Sequence, residues 1–219
     1  MFSNRYRTIA LYTTATVGIA VALLALLFAF ERRRTDAEMG SVLSALFSET
    51  VLHNVDQRGA GRTIQIVIQR KPDCEMCPQG DEVIDVNSWF RRPLASRRSL
   101  VFGQRSWFAQ SSRITRASFV LNSLFSTDIR TDVHLPSGVQ AVFVNPSELG
   151  SKPSDFEARF PNSLGYFIVS PIGLNLHGSE ALLYVDHFCS GLCGGGTYVL
   201  MRKANGVWHI VDQYGTWES

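Results

Sequence analysis

Asp186, His187 and Cys189 put an acid, a base and a thiol within four positions of one another. Successive side chains of a strand point to opposite faces. His187 and Cys189 therefore share a face and Asp186 takes the other. A thiolate–imidazolium pair is within reach, but the carboxylate cannot orient that imidazole without a bulge. The geometry that nucleophilic catalysis requires of a base and its orienting group is not met, so no residue is read as catalytic. Just beyond, Gly194-Gly-Gly196 could form a backbone nest for an anion. A tight reversal or a β-bulge explains the glycines with fewer assumptions. The chain has no G-x-x-x-x-G-K-[ST], no H-E-x-x-H, no G-x-S-x-G and no EF-hand loop, so common phosphate, metal and hydrolase signatures are missing.

The cysteines are Cys74, Cys77, Cys189 and Cys193, in two close pairs. Four readings compete. Disulfides suit an oxidising compartment, either within the pairs or between them. Four thiolates would close a tetrahedral zinc shell in a reducing one. A thioredoxin-like Cys74-x-x-Cys77 needs a following helix to lower a thiol pKa, and Pro78 and Gly80 argue against that helix. Unpaired thiols are the fourth. The disulfide reading is preferred, with Cys189 joined to Cys193, because residues bracketing a three-residue turn reach the Cα separation of about 5.5 Å that the bond needs. No metal and no cofactor are expected.

Residues 86–127 contain no Asp or Glu but carry Arg91, Arg92, Arg97, Arg98, Arg105, Arg113 and Arg116, interleaved with Trp89, Phe90, Trp107 and Phe108. Arginine beside aromatics binds phosphates and stacks on bases. Near a bilayer the same residues meet anionic headgroups. A solvated face paired with acids elsewhere is the commoner outcome. Arg91, Arg92, Arg97, Arg98 and Arg105 are the candidates for binding an anionic surface, headgroups or an envelope component, with no nucleic acid expected.

These groups must be held by a fold. The 219 residues, 18% charged and 45% hydrophobic, suit one globular domain at about 150 residues per domain, plus extras. Thr8–Phe30 is an uncharged apolar run that a helix rising about 1.5 Å per residue stretches past the roughly 30 Å hydrocarbon core. It is longer than a signal-peptide h-region, so it reads as an uncleaved transmembrane helix. Arg5 and Arg7 before the run are matched by Arg32, Arg33 and Arg34 after it, so the positive-inside rule leans slightly toward a cytoplasmic domain. The cysteine pairs favour the opposite side. The expected organisation is a tail over 1–7, the span over 8–30, a juxtamembrane linker over 31–37 and a domain over 38–219.

Within that domain Leu43, Leu46, Phe47 and Val51 recur at helical spacing, with Thr35 or Ser41 as cap. Thr63–Gln69 alternates as a strand, and Val139–Val144 is a second. Ser111–Phe125 reads as a helix capped by Ser111 or Ser112, and Pro153–Phe160 as a short one. Ala181–Val211 reads as a three-stranded meander with glycines at its first turn and the type I′ pair Asn205-Gly206 at its second. The fold class is α+β, with a C-terminal antiparallel meander and two or three helices on one face of the sheet.

The pattern strand, Cys189-x-Gly-Leu-Cys193-Gly-x-Gly, strand, Asn205-Gly-x-Trp208 resembles the C-terminal part of a loose group of uncharacterised exported bacterial proteins. Phe160-Pro-Asn-Ser-Leu-Gly165, Ser170-Pro-Ile-Gly-Leu-Asn175 and the Trp217-Glu-Ser219 ending carry the same likeness. The resemblance covers residues 113–219 and, faintly, 41–69. It implies an extracytoplasmic domain and supplies no catalytic residue. The function expected is that of a single-pass protein of the inner (cytoplasmic) membrane with a disulfide-stabilised binding or scaffolding domain outside. The alternative is an envelope thiol-redox or hydrolytic enzyme using Cys74 and Cys77, or His187 with Cys189.

Overall fold

The structure is a computed structural model describing residues 3–55, 63–70, 110–124, 128–129, 131–150, 152–189 and 193–218. The Lys71–Gly80 loop with Cys74 and Cys77 lies outside the described residues, as do Arg91, Arg92, Arg97, Arg98 and Arg105.

One helix, α1 (Ser3–Val55), runs from the N-terminus into the domain. Residues 31–37, expected as a linker, are helical, so neither Thr35 nor Ser41 caps anything. Their hydroxyls donate back to the carbonyls of Glu31 and Glu38, a local bond these side chains make inside helices. Two environments divide α1. Between Val17 and Phe30 eight of the nine large apolar residues are 55–66% exposed, and Phe28 is partly buried. From Met39 onward the helix is amphipathic, and Met39, Val42, Leu43, Leu46 and Phe47 are buried at the i, i+3, i+4 spacing of a core-facing stripe. Among the described residues no helix is long and apolar enough to cross a membrane. The side chains of residues 8–15, the first part of the apolar run, lie outside them.

Among the described residues the sheet has seven strands: β1 (Ile64–Gln69), β2 (Val139–Val144), β3 (Ser163–Val169), β4 (Gly173–Leu174), β5 (Glu180–Cys189), β6 (Cys193–Ala204) and β7 (Val207–Glu218). Its order is β2-β1-β3-β5-β6-β7, with β4 beside β5. The meander β5-β6-β7 is antiparallel as expected, while β1 pairs parallel with both β2 and β3. At the second turn Asn205 and Gly206 both take positive φ, 52° and 82°, as a type I′ turn demands.

The helices are not confined to one face. α1 covers the face bearing Ala181, Leu183 and Val185. The opposite face, bearing Leu182 and Tyr184, meets α2 (Arg113–Leu124) through Phe119 and Val120. It also carries Val67 and Val144, which pack on α3 (Pro153–Arg159) through Phe156 and Phe160. Strands buried on both faces lose the alternation of apolar and polar residues. The first seven residues of β5 are accordingly all buried.

Glu180 opens β5 and fixes α2. Its carboxylate accepts from the Ser112 N–H (2.6 Å), the Thr115 hydroxyl (2.7 Å) and Arg202 Nε (3.3 Å). The Ser112 hydroxyl caps α2 by accepting from the Thr115 N–H at 3.1 Å. Burial alone would raise the Glu180 pKa, but these donors outweigh it and hold the group below the usual carboxylate value. α2 lies so close to β4 that a Cβ on Gly173 would stand 2.3 Å from the Phe119 nitrogen and 2.4 Å from the Thr115 carbonyl oxygen. Backbone atoms cannot swing aside as side-chain ends do. Gly173→Ala is therefore expected to destabilise the domain by about 2–3 kcal/mol. Gly215→Ala, where nothing lies within 4 Å, should change stability by less than about 0.5 kcal/mol. Chemical denaturation of the two variants checks this.

Candidate functional site

A cavity of roughly 360 Å³ opens between α1 and the sheet at the β5–β6 turn. Leu46, Phe47, Phe167 and Val185 make its apolar wall. Thr50, Thr197, Gln213 and His187 add polar groups, and Cys189 and Cys193 close one end. Alternation along β5 places Val185, His187 and Cys189 on this side. The structure thus brings together His187 and Cys189, as expected, and turns Asp186 away.

His187 is fixed on two sides. Its ring stacks on Phe167 with centroids 4.3 Å apart and planes within 9°. Its Nε2 lies 2.7 Å from the Leu164 carbonyl. A carbonyl oxygen can only accept, so Nε2 carries the proton of this bond. Cys189 is joined to Cys193 by a disulfide, with Cα atoms 5.2 Å apart across the two strand ends. In this state the sulfur beside His187 is no nucleophile, and two of the thiolates that a four-cysteine zinc site needs are taken. Among the described residues no three metal-ligating side chains gather. The arrangement suits holding a small molecule with an apolar body and a hydrogen-bonding end.

Gly194–Gly196 is not part of the turn. The three glycines lie in β6, paired with Phe188, His187 and Asp186 of β5, and Gly195 and Gly196 also pair with β7. None of them has positive φ, so the alternating conformation of an anion nest is missing. Their reason lies across the sheet. A Cβ on Gly196 would sit 2.0 Å from the Tyr184 hydroxyl and 2.2 Å from Trp217 Nε1. The bare backbone lets the Trp217 indole lie over the strand, beside a shift of register between Gly196 and Thr197.

Beneath that indole is Asp186, only 1% exposed. Its Oδ1 accepts from the Tyr184 hydroxyl at 2.8 Å and from Trp217 Nε1 at 2.9 Å. Trp217 Nε1 also lies 3.1 Å from the Tyr184 hydroxyl, and Thr216 Oγ1 is 3.1 Å from it. No cation among the described residues pairs with this carboxylate. Burial raises the Asp186 pKa, and the Tyr184 and Trp217 bonds only partly oppose it. Burial beside this acid also pushes the Tyr184 phenol up to about 12. Sequence reading missed the network because it joins residues some thirty positions apart. The available signal was an acid inside a strand without polar alternation.

The segments that carry the sequence resemblance prove to be structural. Phe160 packs on Phe156, which in turn meets Tyr166. The Ser170 hydroxyl accepts the Tyr184 N–H at 2.8 Å. Gly173 admits α2, Asn175 closes a turn onto Ser179, and the glycine run admits Trp217. Comparison of the chain with family models, with curated proteins and with solved structures finds no match.

Two outcomes are expected. A carboxylate whose folded pKa exceeds its unfolded one leaves the folded state holding more protons in the window between them. Stability therefore falls as pH rises through that window. Asp186→Asn should flatten this fall and raise the melting temperature relative to the parent above neutral pH. Thermal scans from acid to alkaline pH check it. Cys189→Ser should cost about 2 kcal/mol, the loop-entropy value for so short a loop, with the fold kept. Peptide mapping without reduction should recover the 189–193 link in the parent.

Proposed function

We propose that the chain is a single-pass protein of the cytoplasmic membrane whose extracytoplasmic domain, residues 38–219, binds a small amphiphilic molecule in the cavity between α1 and the sheet. The observation that carries the membrane reading is the set of eight large apolar side chains between Val17 and Phe30, each more than half exposed, on a helix whose later turns are buried in the core. Eight large apolar residues that no protein surface covers suit a lipid solvent. With residues 8–15 the run reaches a length of about 34 Å at 1.5 Å per residue, enough for the hydrocarbon layer with slight tilt. The Cys189–Cys193 disulfide supports the oxidising side of the membrane, as does the likeness to exported proteins. Binding is favoured over catalysis because the cavity offers an apolar wall with a few polar groups, the usual make-up of a ligand site. Its one sulfur pair is bonded. The Arg91–Arg105 segment adds an anionic-surface role in the same reading.

Reporter fusions at the C-terminus test the topology. A phosphatase active only after export, joined after Ser219, is expected to be active, and a fluorescent protein that folds only in the cytosol should be dark there. A silent phosphatase with a bright fluorescent fusion would reverse the orientation. A chain recovered free of membranes after cell fractionation would end the anchor reading.

A further inference from the structure

We propose that the end of the domain from which α1 emerges rests on the bilayer surface, with Leu176 and Ile114 dipping among the lipids and Arg33 and Arg113 facing anionic headgroup phosphates. The inference rests on the anchor reading of α1 and adds how the domain sits on its membrane. Arg34 donates to the carbonyls of Asn175 at 2.5 Å and Leu176 at 2.6 Å. Arg34 lies one helical turn past Phe30, about 6 Å along the axis, so the 175–178 turn is held at the level where the apolar run ends. Leu176 is 66% exposed, as much as Leu26 and Phe30 of α1.

α2 arrives at the same level. The Ser118 hydroxyl donates to Glu31 at 2.7 Å, and Asn122 Nδ2 donates to the Thr35 hydroxyl at 3.2 Å. Four residues along α2 thus match four along α1, so the two helices run side by side in one direction. The first turn of α2, with Arg113 and Ile114, then lies on the membrane side of Ser118. Ile114 is 44% exposed, and Arg113 and Arg33 are exposed beside it and beside Phe30. Apolar side chains ringed by arginine at one level match an interface whose headgroups are anionic and whose interior is not. The exposed apolar residue Val211 has no such placement. Val211, 45% exposed, follows Ile210, whose N–H donates to Glu49 at 3.0 Å. Glu49 stands about 28 Å beyond Phe30 along the helix.

Photocrosslinking tests this. A benzophenone amino acid is placed singly at Leu24, Leu176, Ile114 or Val211 of the full chain, in bilayers of phosphatidylethanolamine and phosphatidylglycerol. Each site is surface-exposed, so the fold tolerates the probe. After irradiation, intact-mass spectrometry is expected to find lipid adducts at Leu24, Leu176 and Ile114 and none at Val211. Adducts at Leu24 without adducts at Leu176 would overturn the inference while leaving the anchor standing. No adducts at Leu24 would overturn the anchor and this inference together. Adducts at Val211 equal to those at Leu176 would show that an apolar probe alone seeks lipid, and would overturn it too.

Discussion

Three side chains on successive turns of α1 clasp the sheet domain, and the rest of the arrangement follows from them. Glu31 accepts from Ser118 of α2. Arg34 holds the 175–178 turn by two carbonyls. Glu38 accepts from Lys203 at 2.8 Å and from the Trp208 indole at 3.2 Å, and these donors hold its pKa down against the raising effect of burial. Exposed ion pairs are worth little, but here each charge also anchors a neutral partner and the set spans the region where a linker was expected. The helix is thereby one rod. Its lower part is apolar on all sides and its upper part buries Leu43 and Phe47 in the core. The cavity beside Phe47 then stands about 25 Å along the helix from the end of the apolar run.

β5 carries two acids with opposite electrostatics. Glu180 sits at the N-terminus of α2 and beside Arg202, where helix dipole and guanidinium both favour the charge. Its contribution is present above its unfolded pKa and lost as pH falls through the lower folded value. Asp186 has hydrogen bonds but no cation partner among the described residues, and burial disfavours its charged form. A buried carboxylate kept by a tyrosine and a tryptophan specifies one arrangement of the β6–β7 end. One strand thus carries an acid whose charge supports folding and an acid whose charge opposes it.

Local rules were readable and long-range ones were not. Asn205-Gly206 announced its turn because the conformation is set by those two residues alone. The buried stripe of α1 and the Ser112 cap of α2 were legible for the same reason. Gly194–Gly196 was read as a turn or a β-bulge; a register shift does follow Gly196, but the demand for its bare backbone comes from Trp217, twenty-one positions on, which no local rule records. The parallel pairing of β1 depends on which strands arrive beside it, and Ile64–Gln69 has no residue that records this. Helices on both faces were missed because the apolar run Ala181–Val185 of β5 shows no alternation to say that each face is separately covered. At the candidate site, the shared side of His187 and Cys189 followed from strand alternation, whereas the cavity wall from α1 did not.

Amide hydrogen exchange of the full chain in a lipid bilayer tests the central claim, that α1 is one continuous rod clasped to the domain. The account predicts slow exchange without interruption from the apolar run through residues 31–38 to the buried turn at Leu43. Exchange at 31–38 as fast as in an unstructured peptide, between two protected blocks, would show a hinged linker there and contradict it.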